Sequence, residues 1–349
     1  MHSTTRSALL FFATLCTCWA ARPIPVKVVV VTMFERGADT GDAPGEYQFW
    51  VERDKLDRVF PFPQGFHDLR MNDKGVLGIL TGVGTSRAAS SIMALGLDPR
   101  FDLTKAYWLV AGIAGIDPAD GSLGCAAWAE WVVDGDLAYE IDAREIPAGW
   151  KTGFVPLGKA IPYQEPHEAR EKGEEFHLNP LLQNWAFELT KNVELTDTEA
   201  MQKERNLFTS PNARRAPFVL KGDEISSSTF WHGQLLNQWA NDWVRYHTGG
   251  AGNYVTTGME DTGTLDSLTY LARAGRVDLN RVMVLRTASD FDQPPPGKTP
   301  AENLTANSAR QYTGMVPALE AAWRVGHVVV DDLVKNWPRY RDQIPGSKK

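Results

Sequence analysis

Thr257-Gly258-Met259-Glu260-Asp261 opens the stretch that decides the fold, and Val282-Met283-Val284-Leu285-Arg286-Thr287-Ala288-Ser289-Asp290 closes it. Between them Leu265, Leu268, Leu271 and Ala272 fall on one face of a helical pattern that Gly275 ends. Residues 282–285 read as a buried strand leading into the polar run 286–290. In a βαβ-type crossover, loops at the carboxyl ends of the strands gather on one edge of the sheet, where open α/β folds bind ligands. Glu260 and Asp290 both reach that edge. One carboxylate there can grip vicinal hydroxyls while the other protonates a leaving group, a pairing suited to opening a glycosidic bond.

Working outward, the same grammar recurs. Residues 26–32 form a Val-rich run typical of a strand buried on both faces, ending in the polar loop Met33-Phe34-Glu35-Arg36-Gly37. Residues 37–73 read as irregular, being rich in Gly, Pro and Asp. Residues 76–80 give a second strand, a Gly-rich turn and then a helix over 88–97. A third strand spans 107–111, followed by Gly112-Ile113-Ala114-Gly115, and a fourth spans 128–133. Such alternation predicts a largely parallel or mixed sheet with helices on both faces. Residues 147–215 change character, with dense Pro, Glu, Lys and His and one helical piece over 181–190, and read as a surface excursion. Folding resumes at 218–221, followed by helices over 231–244 and 315–334.

Composition narrows the class. The chain has 349 residues, 43% of them hydrophobic, which is ample for a core, and a net charge of −7. Nucleic-acid backbones demand clustered cations, and no basic stripe interleaved with aromatics is present. Residues 1–21 read as an export signal: Arg6 starts it, 8–15 are apolar, and Trp19-Ala20-Ala21 precede Arg22-Pro23. A periplasmic or secreted protein is therefore expected, with Cys16 and Cys18 leaving in the signal and Cys125 remaining alone. The scattered histidines show no metal-ligand spacing, and no metal or resident cofactor is expected.

The candidate site residues each carry two readings. Thr81-Gly82-Val83-Gly84-Thr85-Ser86-Arg87 lets backbone approach an anion while Thr85, Ser86 and Arg87 add donors, or it is simply a tight turn with a solvated Arg87. Glu35 and Arg36 face the same edge, or form a surface ion pair. Ser226-Ser227-Ser228-Thr229-Phe230-Trp231 sets hydroxyls beside two aromatics, and Trp231 can stack on a flat base or pack in the core. Glu260 can be a first-turn helix acid and Asp290 a loop cap.

At this point the chain resembles the purine nucleoside permeases. The resemblance runs from residue 27 to about 337 and rests on Val31-Thr32-Met33-Phe34, Ser91-Ile92-Met93-Ala94-Leu95-Gly96-Leu97-Asp98-Pro99-Arg100-Phe101, Leu109-Val110-Ala111-Gly112-Ile113-Ala114-Gly115-Ile116, Tyr139-Glu140-Ile141-Asp142-Ala143-Arg144-Glu145 and Arg286-Thr287-Ala288-Ser289-Asp290-Phe291-Asp292-Gln293-Pro294-Pro295-Pro296-Gly297. More distantly the motif order is similar to the nucleoside phosphorylase and nucleosidase superfamily. That resemblance implies a single three-layer αβα domain over 22–349 with a central mixed sheet. It implies ribose binding by Met259 and Glu260, action of Asp290 with Ser289 on purine N7, and a base wall at Phe230-Trp231. Phosphate as co-substrate would fall to Gly84, Thr85, Ser86, Arg87 or Arg36, because Ile113 stands where the superfamily carries a hydroxyl and Val110 where several phosphorylases carry Arg. The expected reaction is purine nucleoside cleavage, with phosphorolysis favoured over water. The alternative is an exported nucleoside-binding protein that serves a membrane transporter. Superfamily members often assemble so that a neighbouring subunit completes each pocket, so a homo-oligomer is among the implied partners.

Overall fold

Val28–Thr32 is buried at every position, and its side chains alternate between two cores. Val29 and Val31 point into one, Val28 and Val30 into the other. The same division runs through the central strands, with Leu77 and Ile79, Trp108 and Val110, and Val282 and Val284 on the first face. Leu80, Leu109, Met283 and Leu285 occupy the second. The computed structural model describes residues 22–165, 174–310 and 312–347; the export-signal segment and His167 lie outside the described residues. Twelve of the described strands make one mixed sheet.

Helices cover both faces because each presents an apolar stripe. Thr85–Leu97 and Asp261–Arg273 bring Ile92, Leu95, Leu265, Leu268 and Leu271 to the first core. Met315–Lys335 brings Val325, Val329, Val330 and Leu333 to the second, with Leu182 and Ala186 of Pro180–Thr190. Gly263 lets the two helices of the first face close up, since a Cβ there would stand 2.0 Å from the Thr85 carbonyl oxygen.

The sheet's centre positions the site. Tyr107–Ile116 pairs in parallel with Val28–Thr32 and Val282–Phe291, and antiparallel with Tyr254–Gly258. Thr257 and Asp290 are both partners of Gly115, one on each side. Strands two apart in a sheet are separated by about 10 Å. Tyr254–Gly258 and Val282–Phe291 therefore run in opposite directions, not as the parallel crossover expected from the sequence; Asp290 lies within its strand, while Glu260 follows the end of its own.

Several elements differ from the sequence expectation. The polar run 286–290 is not a loop: Val282–Phe291 is one strand, buried at each residue. Likewise Gly112–Gly115 lies inside Tyr107–Ile116. A strand reader stops at Arg286, but here its charge is met by buried carboxylates. The expected strand over 128–133 is split at Glu130 into Ala126–Ala129 and Trp131–Asp134. The 231–244 helix begins later, at Gln234, and runs to His247; Gly233, at φ +147°, precedes it. Residues 37–73 hold a helix, Gln48–Arg53, and two short strands. Within 147–215, Leu182, Ala186, Met201 and Phe208 are buried, so that excursion also supplies core.

Candidate active site

The turn after Tyr254–Gly258 places Glu260 at the N-cap, just before the Asp261–Arg273 helix, 4% exposed. Its Oε1 accepts a hydrogen bond from the Gly84 amide at 3.2 Å, and its Oε2 accepts from the Met259 amide (3.2 Å) and Arg286 Nη2 (3.0 Å). Gly84 offers that amide from a left-handed φ of +96°. One lone pair of Oε1 remains for a further donor, which is what a sugar hydroxyl supplies. Burial raises the Glu260 pKa, and Arg286 opposes that shift.

Arg286 is the cation sequence reasoning did not select. It is 2% exposed and also contacts Glu224 (3.5 Å) and Asp261, while its Nη1 donates to the Ile113 carbonyl at 2.9 Å. A Cβ at Gly258 or Gly112 would collide with its guanidinium, so glycine is required at both. Glu46 was missed as well. Its carboxylate accepts from the Met33 amide (2.7 Å) and the Ile113 amide (2.8 Å), and burial pushes its pKa to about 8, with Arg286 pulling the other way. The signal available was an acid opening the amphipathic run Glu46-Tyr47-Gln48-Phe49-Trp50-Val51.

Asp290 is the second candidate acid. It is 3% exposed, its Oδ1 accepts from Ser289 Oγ at 2.7 Å, and its Oδ2 has no partner. Burial lifts its pKa to about 7, against the Ser289 hydrogen bond. Nearby Asp292 is different: Tyr254 and Asn237 donate to it, as befits a structural acid. Asp290 alone of the two presents an open oxygen.

The aromatics divide. Phe230, 44% exposed, stacks near Tyr312 with centroids 6.3 Å apart, and the Tyr312 hydroxyl, pushed up to about 12 by burial, also senses the Asp290 charge. Trp231 turns instead into a cluster with Trp239 and Tyr254, 7% exposed. Trp231, Ser227 and Thr229 line a 710 Å³ cavity walled by Ile141, Ile146 and Phe154. Glu260 and Asp290 do not line it. Ser228 faces the other way, its Oγ 2.6 Å from Thr85 Oγ1 and 3.0 Å from the Thr85 amide.

The remaining anion-site candidates are spread out. Ser86 and Arg87 are exposed, with Arg87 Nη1 donating to the Val83 carbonyl at 3.2 Å. Arg36 Nη1 lies 3.5 Å from Met315 Sδ, while Glu35 accepts from the amides of Gly45, Tyr47 and Gln48. Among the described residues Glu174, Glu175 and His247 form one group of metal-ligand type, away from these carboxylates in the chain; Glu175 and His247 are paired with each other at 3.6 Å.

Residues 25–345 match the family model described as purine nucleoside permease. The chain belongs to the purine nucleoside permease family. A probable purine nucleoside permease of Schizosaccharomyces pombe is 32% identical over 321 residues, covering 89% of this chain and 90% of that protein. The purine nucleoside permease of Candida albicans is 36% identical over 266 residues, which are 75% of this chain and 64% of the Candida protein. Among solved structures, the 5'-methylthioadenosine/S-adenosylhomocysteine nucleosidase of Neisseria meningitidis superposes with a TM-score of 0.51 at 14% identity, covering 88% of this chain and all of that one. The futalosine hydrolase of Helicobacter pylori gives 0.52, also at 14%, over 88% and 98%. This permease-family chain therefore has the α/β fold of the nucleosidases. Among its described residues no helix is long and apolar enough to cross a membrane.

Proposed function

We propose that the protein binds a purine nucleoside and cleaves its N-glycosidic bond. The observation that carries this reading is Asp290, a buried acid with one unpartnered oxygen and a pKa near neutrality; Glu260 is a second buried carboxylate, and it keeps a free lone pair. In this reading Glu260 accepts from the ribose hydroxyls, Met259 packs under the sugar, and Phe230 walls the base, with Trp231 turned into the core behind it. Asp290, oriented by Ser289, gives its proton to the departing purine at N7 as the bond stretches. The positive charge that develops on the ribose is stabilised by an anion, and that anion then attacks the anomeric carbon. Inorganic phosphate at Gly84, Thr85, Ser86 and Arg87 would yield ribose 1-phosphate.

Water as the nucleophile is the second reading. It is favoured by the commitment of the Gly84 amide to Glu260 and by the surface position of Arg87. The names of the relatives favour a third, an exported nucleoside-binding protein that supports transport without cleavage. An open acid at the base's leaving position argues for cleavage instead, since a pocket that only binds has little use for it. Incubating the purified protein with inosine, with and without phosphate, distinguishes the three. Hypoxanthine released only with phosphate supports phosphorolysis, and release without it supports hydrolysis. Saturable binding with no hypoxanthine would overturn the catalytic reading.

A further inference from the structure

Four carboxyl groups face one guanidinium beneath the candidate site. Arg286 contacts Glu224, Glu260 and Asp261, and Glu46 adds its charge from the Met33–Ile113 side. All five side chains are buried. Were every acid ionised, the lone cation would leave a large negative excess in a medium that cannot solvate it. Protons must be held within the cluster.

The bonding pattern locates one of them. Glu260 and Glu46 each accept from two backbone amides. Asp261 accepts from Arg286 Nε at 3.3 Å and from Nη2. Glu224 differs: it is 0% exposed, and no donor meets either of its oxygens. Its closest cation atom, Arg286 Nε, stands 3.5 Å away and is the same nitrogen that donates to Asp261 Oδ1 at 3.3 Å, so the two carboxyl groups converge on one N–H. Two buried carboxyl groups that meet at one N–H, one of them with no donor of its own, are accommodated together when one carries a proton.

We propose that Glu224 is a positioning residue that holds a proton shared with Asp261, so that Arg286 Nη2 stays divided between Asp261 and Glu260 and keeps Glu260 as an acceptor. The proposal rests on the reading of Glu260 as the ribose acceptor. Glu224 enters from the Asp223–Ser226 strand, where its partners across the sheet, Val132 and Thr256, are uncharged. The charged groups that face it are Asp261, Arg286, Glu260 and, from farther off, Glu46. Losing the shared proton sets two bare carboxylates together and draws the guanidinium toward them, away from Glu260. Affinity for a nucleoside then falls as pH rises.

Two measurements on the full chain test this. Infrared difference spectra of the unliganded protein at neutral pH, wild type against Glu224→Gln, read the proton directly. A protonated-carboxyl carbonyl band present in wild type and lost in the variant is expected; no such difference overturns the proposal. Calorimetric titration with inosine from neutral to alkaline pH reads the positioning. Wild type should weaken with rising pH more steeply than Glu224→Gln, which cannot deprotonate at that position; the difference between the two profiles is the readout, because Asp290, Glu46 and the inosine base titrate in both. Glu224→Leu should lose about tenfold throughout, the effect of removing a buried partner, and Gln should restore most of that. A Gln variant as weak as Leu, or one that follows the wild-type pH profile, overturns the positioning role. Wild-type protein that shows the band but binds no inosine sinks the ribose reading and the positioning role together. A missing band with intact binding sinks this proposal alone.

Discussion

Asp290→Asn is expected to abolish most turnover while making the protein more stable above neutral pH. The reasoning starts from burial. The carboxyl releases its proton near the ordinary 3.8 in the unfolded chain but only at about 7 in the folded one. Between those values the folded state binds the extra proton, so stability declines as pH rises from about 4 to about 7 and stays reduced above that. Three units at 1.36 kcal/mol each make the cost of burying the ionised group about 4 kcal/mol, an order-of-magnitude figure. Asparagine removes that cost and retains the Ser289 hydrogen bond, but buries an unpartnered amide donor worth about 1–3 kcal/mol. The net gain at alkaline pH is roughly 1–3 kcal/mol. Denaturant unfolding of wild type and variant on the acid and alkaline sides of pH 7 measures it, alongside inosine cleavage, which should fall about 10²–10⁴-fold. A variant less stable than wild type at alkaline pH, or one with full activity, would refute the reasoning and make Asp290 a structural acid like Asp292.

Other substitutions separate the remaining roles. Glu260→Ala should weaken inosine binding as well as turnover, and destabilise the fold by about 1–3 kcal/mol because the Gly84 and Met259 amides lose their acceptor while Arg286 keeps Asp261; calorimetry and unfolding curves check both. Phe230→Ala should cost about 1–3 kcal/mol of nucleoside affinity by loss of stacking, with little change in melting temperature. Trp231→Ala should instead lower stability by about 3–5 kcal/mol, as removal of a buried Trp does. Equal effects of these two on affinity would return the base to the Trp231 side. Arg87→Ala should raise the KM for phosphate without altering inosine affinity, and a phosphate-independent reaction would remove Arg87 from the site.

The sheet and its helices were legible because apolar periodicity is a local signal. Val28–Thr32 and Leu265, Leu268 and Leu271 declare which faces they bury without reference to the rest of the chain. Arg286 did not, because a cation inside a strand reads as the strand's end until the carboxylates that neutralise it are known. These arrive from three separate places, at Glu46, Glu224 and Glu260-Asp261. Glu46 was hidden for a similar reason: its role depends on a fold-back that delivers its carboxylate to the Met33 and Ile113 amides. Adjacent aromatics in an extended segment point opposite ways, so Phe230 and Trp231 could be told apart only once Gly233 had fixed where the helix begins. The convergence of Glu260 with Asp290 was read from a parallel crossover, whereas Tyr254–Gly258 runs antiparallel to Tyr107–Ile116, Val282–Phe291 runs parallel to it, and Asp290 lies within its strand.

A crystal structure with a non-cleavable purine nucleoside examines the central claim most directly. The account predicts the ribose hydroxyls on Glu260 Oε1 and purine N7 on Asp290 Oδ2, with the base beside Phe230. A nucleoside lodged in the Ile141–Trp239 cavity, with Glu260 and Asp290 untouched, would contradict it.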